Sequence, residues 1–471
     1  MADYDLVVIG SGPAGEKGAA QAAYFGKRVA LVERTHFPGG ANINTGTIPS
    51  KTLRETALYF SGLRQRGLYG IDYSLKEGLT VHDFMLRLRL VVDQQRQTIL
   101  RNLDRHKIEV VWGTGSLVNP HTVRVQTYTG ESRDLHADYI LIATGSSPFH
   151  PPNLPIDHEL IHDSDSILNM KFIPKTMAVI GGGVIGSEYA SIFSALGVQV
   201  TLVDSRSRLL PFIDHEISEH LQMQLANMGL RLLFNDRVAN IETRRGRLHL
   251  QLQNGGSLEC DITLFAAGRQ SNIQGLGLEA LGVALGPRGL IRVNKHYQTS
   301  IHNIYAAGDV IGFPALASTS MEQARVAMVH AFQLQYKEQV SSVLPYAIYT
   351  IPEISMVGLT ENDCLEKKIP FLVGRSRYCD NPRGQIIGET NGMIKLIFSP
   401  TDKKLLGVHL IGEMSSELVH IGAHVLSGGH TIDEFIMAVY NYPTLADAYK
   451  YAAYDGLGER ECWLRSRQSK L

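Results

Sequence analysis

The chain has 471 residues, and its 45 Lys and Arg nearly balance its 46 Asp and Glu, for a formal net charge of −1. Such a balance predicts no general electrostatic attraction to nucleic acid or to an anionic membrane surface. The length predicts about two to four domains, and the longest apolar runs, such as residues 139–143, are too short to cross a bilayer.

The four cysteines, Cys260, Cys364, Cys379 and Cys462, are scattered and form no CxxC pair. This spacing argues against a disulphide framework and against a bound metal, and it favours a reducing cytosol. No charged start with an apolar stretch precedes the first strand, so we expect a cytoplasmic protein rather than a secreted one. The triplet Ser469-Lys470-Leu471 matches a peroxisomal address by type, and we attribute that match to coincidence.

The first predicted unit consists of a strand over residues 5–9, a glycine-rich turn, a helix and a second strand that ends at Glu33. The turn has the GxGxxG pattern, with the residues Gly10, Gly12, Pro13, Ala14 and Gly15. In such a turn the glycines let a pyrophosphate approach the backbone, and the helix N-terminus offers it unpaired N–H groups. The carboxylate at the strand end can accept hydrogen bonds from a ribose diol. The unit is therefore predicted to bind a dinucleotide.

The same pattern recurs over residues 177–204, with Gly181, Gly183 and Gly186 in the turn and Asp204 at the strand end. In both copies the third glycine stands eleven residues before the glycine that ends the helix and eighteen before the acid. A single glycine-rich turn often serves packing alone. Equal spacing in two copies with matched acids predicts two dinucleotide-binding units.

Between and after these units the sequence changes character three times. A Ser- and Pro-rich stretch over residues 146–155 predicts a linker out of the first domain. Alternating apolar residues over 231–252 predict a β insertion in the second domain. A further region begins near Ser341.

The segment after the first unit, residues 39–51, has the sequence Gly-Gly-Ala-Asn-Ile-Asn-Thr-Gly-Thr-Ile-Pro-Ser-Lys. It resembles the redox-active segment of the pyridine nucleotide-disulphide oxidoreductases, the family of glutathione reductase and dihydrolipoamide dehydrogenase. In that family a cysteine pair holds the positions of Asn42 and Thr47, neither of which can form a disulphide. Residues 299–309 and 349–361 resemble the family's second FAD motif and the start of its interface domain, so the resemblance covers nearly the whole chain.

The resemblance implies an α/β fold with two Rossmann-like dinucleotide-binding domains, one for FAD and one for NAD(P), and a C-terminal α+β interface domain. Residues 1–155 and 278–340 would form the FAD-binding domain in two parts, residues 156–277 the NAD(P)-binding domain, and residues 341–471 the interface or dimerisation domain. It also implies a homodimer or a larger homo-oligomer.

The resemblance further implies which residues hold FAD. They are Gly10, Gly12, Pro13, Ala14, Gly15, Glu33, Arg34, Gly40, Ala41, Asn42, Thr47, Lys51, Thr144, Gly145, Asp309, Ala315, Leu316 and Ala317. Glu33 would hold the adenosine ribose. Asp309 is predicted to be buried at a strand end with no hydroxyl partner, which is costly without a ligand; the alternative is that it caps the next turn. The helix that follows residues 315–320 would point its positive end at the flavin.

The residues implied for the nicotinamide nucleotides are Gly181, Gly183, Gly186, Glu188, Asp204, Arg206 and Gly268. Asp204 favours NAD(H), whose ribose has a free 2′-hydroxyl. Arg206 and Arg208 suit the 2′-phosphate of NADP(H), because a guanidinium fork matches phosphate. Solvated loop arginines explain the two residues equally well, so both nucleotides stay expected substrates.

Lys51 and Glu188 are the catalytic residues that the resemblance implies. In the family a lysine beside flavin N5 pairs with a glutamate that follows the second glycine turn, and a cation there favours the reduced flavin. The alternative is a weak surface ion pair, which the position of both residues inside motifs makes the poorer explanation.

The C-terminal catalytic pattern departs from the family together with the thiols. Residues 441–447 place Tyr442 and Asp447 where the family has a base histidine and its orienting glutamate, and a neutral tyrosine is a poor base near neutral pH. Residues 46–51 and 441–444 match one branch of the family, the soluble pyridine nucleotide transhydrogenases. The expected reaction is ping-pong hydride transfer between NADPH and NAD⁺ through FAD.

Two alternatives stay open. An NAD(P)H diaphorase or quinone reductase would use an outside acceptor at the vacated face of the flavin. A non-catalytic, redox-sensing flavoprotein would bind FAD without turnover, which Lys51 and Glu188 argue against.

Overall fold

The structure is a computed structural model that describes residues 2–62, 80–152 and 154–468. The triplet Ser469-Lys470-Leu471 lies outside the described residues. The elements up to residue 152 are β1 (Tyr4–Ile9), α1 (Pro13–Tyr24), β2 (Val29–Glu33), α2 (Gly40–Asn44), α3 (Thr47–Ser61), α4 (Val81–Arg105), β3 (Glu109–Trp112), β4 (Thr114–Asn119), β5 (Thr122–Gln126), β6 (Ser132–Ile142) and β7 (Ser146–Pro148).

The elements between residues 154 and 277 are β8 (Ile161–Asp163), β9 (Thr176–Ile180), α5 (Val184–Ala195), β10 (Gln199–Val203), α6 (His215–Asn227), β11 (Arg231–Leu233), β12 (Val238–Arg244), β13 (Arg247–Leu252), β14 (Ser257–Cys260), β15 (Ile262–Phe265) and β16 (Arg269–Ser271). The remaining elements are β17 (Ile304–Ala306), α7 (Ala317–Ala331), β18 (Tyr346–Ile348), β19 (Ile354–Gly358), α8 (Glu361–Glu366), β20 (Leu372–Arg377), α9 (Pro382–Ile387), β21 (Met393–Phe398), β22 (Leu405–Ile411), α10 (Ser415–Ser427), α11 (Asp433–Met437) and α12 (Ala448–Gln468).

The first sheet has the order β3-β2-β1-β6-β5-β4, and β17 also pairs with β6. The N-terminal half of β6 runs antiparallel to β5, and its C-terminal half lies between β1 and β17 and is parallel to both. β17 follows the second sheet in the chain, so the chain returns to complete the first sheet after an excursion of well over a hundred residues.

The core of the first sheet is apolar on both faces, as is typical of parallel strands. Leu6 and Val8 of β1 face one cluster, and Val7 and Ile9 face the other. On the first face α1 packs against β6 and α7 at Gly18, where a Cβ would lie 2.5 Å from Leu141 Cδ2. Glycine at this position allows the helix to lie directly on the sheet.

The second sheet is parallel throughout, in the order β11-β10-β9-β15-β8. The predicted β insertion over 231–252 is only partly correct, because Arg231–Leu233 pairs parallel with β10 as the edge of this sheet. The antiparallel group β12-β13-β14 begins at Val238. The predicted linker also contains a strand, since β7 pairs antiparallel with β16 and ties the two sheets together.

The C-terminal region is an antiparallel sheet in the order β18-β19-β22-β21-β20. A fully buried lysine of β21, Lys395, ties it to the second sheet region. Lys395 Nζ lies 2.6 Å from Asp214, the N-cap of α6, and 2.8 Å from Glu216, and it also contacts Glu361. These three acidic side chains are close enough to share a cation, and the lysine is the cation they contact.

A mixed first sheet with a parallel centre, a parallel second sheet and an antiparallel C-terminal sheet, together with the family matches, confirm the expected fold class. The domain boundaries after residues 155, 277 and 340 stay predictions. Within the described ranges, no helix has the length and apolar character that a membrane crossing requires.

Candidate active site

In the first glycine turn, residues 10–15, close backbone contacts leave no room for a side chain at Gly10 or Gly15. Gly10 has a φ of +103°, a left-handed conformation that favours glycine. A Cβ on Gly15 would lie 1.8 Å from the carbonyl oxygen of Gly10. α1 begins after Gly12, its N-cap, and its first N–H groups have no partner within the helix. The turn therefore presents backbone donors rather than side chains to a ligand.

Glu33 ends β2 beside this turn and is buried. Its Oε2 accepts hydrogen bonds from Ser11 N at 3.0 Å and Ser11 Oγ at 2.5 Å. Its Oε1 accepts from Thr35 N and Thr35 Oγ1, both at 2.8 Å. A carboxylate offers about four lone-pair sites, and here neutral groups occupy all of them. Two of these groups are hydroxyls, which rotate and can yield to a ribose.

Residues 39–51 cross the first glycine turn. Gly40 has a φ of +55°, and a Cβ there would lie 2.9 Å from the Cα of Gly12. This close approach places α2 and the start of α3 over the turn. Asn42 is half-buried on α2, and Thr47 is exposed as the first residue of α3.

A cavity of about 1370 Å³ lies between the first sheet, the second sheet and the C-terminal region. The expected FAD contacts that line it are Gly10, Gly12, Pro13, Ala14, Glu33, Arg34, Gly40, Ala41, Asn42, Thr47, Lys51, Thr144, Gly145, Asp309, Ala315, Leu316 and Ala317. Gly15 is not among the lining residues, because it packs beneath the turn against Gly10. In the described part of the chain no cysteine lines this cavity.

Lys51 and Glu188 meet in the cavity although 137 residues separate them. Lys51 Nζ lies 2.8 Å from both carboxylate oxygens, and the Glu188 side chain is only 5% exposed. Glu188 Oε1 also accepts a hydrogen bond from Tyr349 N at 2.9 Å, and Lys51 Nζ lies 4.9 Å from the centroid of the Tyr349 ring. Besides Lys51, the hydrogen bonds of the described residues give the Glu188 carboxylate one neutral donor, Tyr349 N; a buried carboxylate with so few neutral partners needs its cation, so the pair is not a weak surface contact.

The expectation that Asp309 is buried without a hydroxyl partner is wrong. Ser146 Oγ donates a hydrogen bond to Asp309 Oδ2 at 2.7 Å, and Asp309 is half-buried. The serine belongs to β7, in the stretch that the sequence predicted as a linker. Asp309 lines the cavity, so its position, rather than the cost of its burial, argues for a ligand.

Polar contacts continue from Ser146 along the cavity wall. Arg269 Nε donates to Ser146 Oγ at 2.8 Å, and Arg269 Nη2 donates to Ser146 O at 2.7 Å. Arg269 Nη1 lies 3.7 Å from Asp165 Oδ1. Burial raises the pKa of the Asp165 carboxyl, and the positive charge of Arg269 opposes that effect only in part. The pairing of β7 with β16 thus brings a serine, an arginine and an acid together.

The second glycine turn, residues 181–186, repeats the backbone of the first. Gly181 has a φ of +107°, and a Cβ on Gly186 would lie 1.8 Å from Gly181 O. α5 begins after Gly183, its N-cap, and its residues Val184, Ile185 and Glu188 line the cavity. The other expected contacts of the nicotinamide nucleotides lie outside the cavity; they are Gly181, Gly183, Gly186, Asp204, Arg206 and Gly268.

Asp204 follows β10 and is buried. Its Oδ1 accepts hydrogen bonds from Arg206 N and Arg206 Nε, both at 2.8 Å. Its Oδ2 accepts from Arg206 Nη2 at 2.5 Å and from Gly182 N. Burial alone would raise the pKa of the Asp204 carboxyl, but the hydrogen bonds from Arg206 and Gly182 outweigh it and lower the pKa.

Two contacts of the site could not be predicted from the sequence. Tyr349 acts on Glu188 through its backbone N–H, which any residue except proline would supply. Arg96 Nε donates to Asn44 Oδ1 at 2.8 Å. Such partners lie 52 and 161 residues apart in the chain, so only covariation between distant positions would reveal them.

The cavity thus combines the first glycine turn, the start of α5 after the second glycine turn, and the Lys51–Glu188 pair. Comparison with protein families matches residues 4–331 to the pyridine nucleotide-disulphide oxidoreductases and residues 344–453 to the dimerisation domain of the same family. The chain belongs to that family, which implies FAD and a pyridine nucleotide.

Similar proteins match over nearly the whole chain. Curated relatives named soluble pyridine nucleotide transhydrogenase include that of Mycobacterium bovis, 43% identical over 456 residues and covering 97% of each chain. Another, from Colwellia psychrerythraea, is 39% identical over 460 residues, covering 97% of this chain and 98% of its own.

Two solved structures are also similar. LpdA of Mycobacterium tuberculosis has a TM-score of 0.89 at 26% identity, covering 95% of this chain and 99% of its own. The HOCl-induced flavoprotein disulfide reductase RclA of Escherichia coli has a TM-score of 0.87 at 28% identity, covering 96% of this chain and 99% of its own. Together with the family match, these likenesses confirm the expected family and the oxidoreductase class.

Proposed function

We propose that this protein is a soluble, FAD-dependent pyridine nucleotide transhydrogenase. It carries a hydride from NADPH to NAD⁺, or in reverse, by ping-pong exchange at one nicotinamide site. The observation that carries this proposal is the cavity, which touches both dinucleotide-binding units and holds Lys51 and Glu188, yet has no cysteine among its described lining residues. Without a thiol to accept electrons, a second nicotinamide nucleotide is the acceptor that the site already fits.

The curated relatives support this proposal. Those at 39% to 43% identity carry the name soluble pyridine nucleotide transhydrogenase, and they match this chain over almost their whole length.

The cavity suits FAD in both size and chemistry. Its volume of about 1370 Å³ exceeds that of an ordinary small-molecule pocket, about 300–1,000 Å³, as an extended dinucleotide requires. Backbone N–H groups of the first glycine turn and of α1 would hold the pyrophosphate, and Glu33, whose hydroxyl partners can rotate away, would hold the ribose. Asp309 and the N-terminus of α7 would hold the flavin half. The bound flavin supplies reversible two-electron exchange with a nicotinamide ring.

Lys51 and Glu188 are the proposed catalytic pair. Tyr349 N and Lys51 Nζ hold the buried Glu188 carboxylate in one position, and Glu188 in turn fixes Lys51. A positive charge held in this way needs no reorganisation when negative charge develops beside it. The second glycine turn, Asp204, Arg206 and Gly268 would bind the nicotinamide nucleotide at the start of α5.

We also propose a cytoplasmic homodimer, with the four-part domain division given above. The matched dimerisation region contains large side chains that this chain leaves exposed: Met437 is 79% exposed, Val439 94% and Tyr442 70%. A second copy would cover such an apolar surface.

The test is an anaerobic titration of the purified protein. NADPH is expected to bleach its yellow colour, and NAD⁺, added after NADP⁺ is removed, is expected to restore it while forming NADH in an amount equal to the flavin. Colour that returns with a quinone but not with NAD⁺ would assign a quinone reductase instead. A flavin that NADPH leaves yellow would assign a non-catalytic flavoprotein.

A further inference from the structure

The two strand-end acids stand at equivalent places but have different partners. Glu33 and Asp204 each follow the third glycine of their turn by eighteen residues, and the residue two positions further on is Thr35 in one copy and Arg206 in the other. Both of these residues donate their backbone N–H and their side chain to the acid before them. The same contact with the acid therefore occurs in both units. Its side-chain donor is a neutral hydroxyl in the first unit and a positively charged guanidinium in the second.

Asp204 is saturated by its partner. Of the about four lone-pair sites of a carboxylate, Arg206 occupies three and Gly182 N the fourth. The negative charge of Asp204 is cancelled by a guanidinium fork that contacts both oxygens. A bare carboxylate at this place would repel a 2′-phosphate, and the neutral pair does not.

Arg206 can leave Asp204 without disturbing the core. Its side chain is 42% exposed, whereas that of Asp204 is 3% exposed. Asp204 keeps the hydrogen bonds from the backbone N–H groups of Gly182 and Arg206 when the guanidinium turns away.

Arg208 is a second arginine in the segment that follows β10, two residues after Arg206. Its Nη2 donates to Pro211 O at 2.8 Å, and its Nη1 is buried with no hydrogen-bond partner among the described residues. An unpaired buried donor is costly, and a phosphate oxygen is a partner for it. Residues 204–208 thus hold two cations and one carboxylate, a balance that suits a phosphate dianion.

We propose that the Asp204–Arg206 pair is the discriminator that lets one site accept both nucleotides. With NAD(H), a guanidinium N–H gives up its place on Asp204 to the 2′-hydroxyl of the ribose. With NADP(H), the whole fork turns to the 2′-phosphate, and Arg208 joins it. This inference rests on the proposed exchange between the two nucleotides, which needs a site for each of them.

The test uses the FAD-loaded protein and the variant Arg206→Thr, which copies Thr35 of the first unit. Threonine gives Asp204 a neutral hydroxyl in place of the fork, so the fold keeps a partner for the buried acid. The probes are adenosine 2′,5′-bisphosphate and adenosine 5′-monophosphate, which differ only in the 2′-phosphate. Calorimetry is expected to show that the bisphosphate binds about 10-fold or more weakly, as the loss of a bidentate charged pair implies, while the monophosphate changes by less than about 2-fold.

Two further variants sharpen this test. Arg244→Ala removes an arginine that pairs with an acid two residues before it, Glu242, through Nε at 3.1 Å and Nη2 at 2.7 Å, but on β12, away from the second glycine turn. It is expected to change neither affinity. Arg206→Lys keeps the charge without the fork and is expected to retain part of the affinity for the bisphosphate.

Equal weakening of both probes in Arg206→Thr, or no weakening of either, would overturn the discriminator whether or not the protein transfers hydride. If the probes are discriminated as expected but NADPH and NAD⁺ do not exchange hydride, the proposed function falls and the discriminator stands.

Discussion

The two glycine turns have the same backbone conformation but different surroundings. In each, a Cβ on the third glycine would lie 1.8 Å from the carbonyl oxygen of the first. Two glycines of the first turn, Gly10 and Gly12, line the cavity, and hydroxyl groups contact the acid of that unit. The glycines of the second turn do not line the cavity, and a half-exposed guanidinium contacts the acid of that unit. The same backbone conformation therefore occurs in two different settings, and under the proposed function the first would hold a resident flavin nucleotide and the second an exchanging nicotinamide nucleotide.

The largest effect is expected from substitutions of the third glycine of each turn, because they distort the backbone conformation that the two turns share. Gly15→Ala and Gly186→Ala put the same methyl group against a carbonyl oxygen, so each should distort its own turn. Gly15→Ala is expected to yield protein almost without FAD, whereas Gly186→Ala should stay yellow and lose nucleotide binding. Flavin absorbance and NADPH titration of the purified variants measure both effects. Gly458→Ala, on α12 with no atom within 4 Å of the added Cβ, is the control, and loss of FAD from all three would contradict the comparison.

A large effect on the rate of flavin reduction is also expected at Lys51, which contacts Glu188 of the second unit. Lys51→Ala removes the fixed positive charge but leaves the glycine turns intact, so FAD should still bind. The rate constant for flavin reduction by NADPH is expected to fall about 100-fold, as for other losses of one preorganised electrostatic group. Anaerobic stopped-flow absorbance measures it.

The matched control for Lys51→Ala is Lys171→Ala. Lys171 also pairs with a glutamate, Glu159 at 3.1 Å, but both side chains are largely exposed, and pairs of that kind contribute little. A similar slowing in Lys171→Ala, or an unchanged rate in Lys51→Ala, would count against the catalytic assignment.

A smaller, pH-dependent effect is expected at Asp204. Its pKa is lower in the folded protein than its ordinary value of about 3.9, so the ionised form stabilises the fold above that pH, and this contribution is lost as the pH falls through the lowered pKa. Asp204→Asn should therefore lower the free energy of unfolding by about 1–3 kcal/mol at pH 7. The difference from the unchanged protein should persist to about pH 5 and shrink below about pH 4.

Urea unfolding at a series of pH values measures this difference. Asp134→Asn is the control, because Arg124 contacts Asp134 with the same fork, at 2.8 and 2.9 Å, on an exposed surface. Little change is expected there. A penalty for Asp204→Asn that stays constant down to acid pH would show that its charge does not stabilise the fold.

The smallest effect is expected at Tyr442. Exchange between two nicotinamide nucleotides needs no base to activate a thiol, and Tyr442 is not among the described residues that line the cavity of its own chain. Tyr442→Phe should therefore change the steady-state rate of NADPH oxidation with thionicotinamide NAD by less than about 2-fold, well under the tenfold that corresponds to about 1.4 kcal/mol. A strong loss would assign the hydroxyl a role in the reaction.

The local parts of the fold could be predicted from the sequence, because spacing determines them. Both βαβ units lie where the glycine and acid spacing predicted, and Lys51 and Glu188 meet as the motifs implied. Contacts between distant segments could not be predicted in this way. The hydroxyl of Ser146 reaches Asp309 from a stretch whose prolines and serines indicate a linker, and only the pairing of β7 with β16 brings it there.

In one case, the local sequence pattern also failed to predict which sheet a strand joins. The alternation over residues 231–252 is continuous in sequence, yet Arg231–Leu233 completes a parallel sheet while Val238–Arg244 starts an antiparallel one. Neither strand shows a strict alternation of buried and exposed side chains, so periodicity alone does not separate the two environments. The sequence shows that Arg206 is charged, but it does not show that its guanidinium group contacts both carboxylate oxygens of Asp204.

The position of β17 has a consequence for synthesis on the ribosome. β17, Asp309 and the first turn of α7 follow the entire second sheet in the chain, yet they complete the first sheet and the cavity beside it. A nascent chain that ends before residue 304 therefore has every strand of the second sheet but an incomplete first sheet. If the cavity holds FAD as proposed, we expect the flavin to bind only after translation has passed that point, and a fragment that ends there to be colourless.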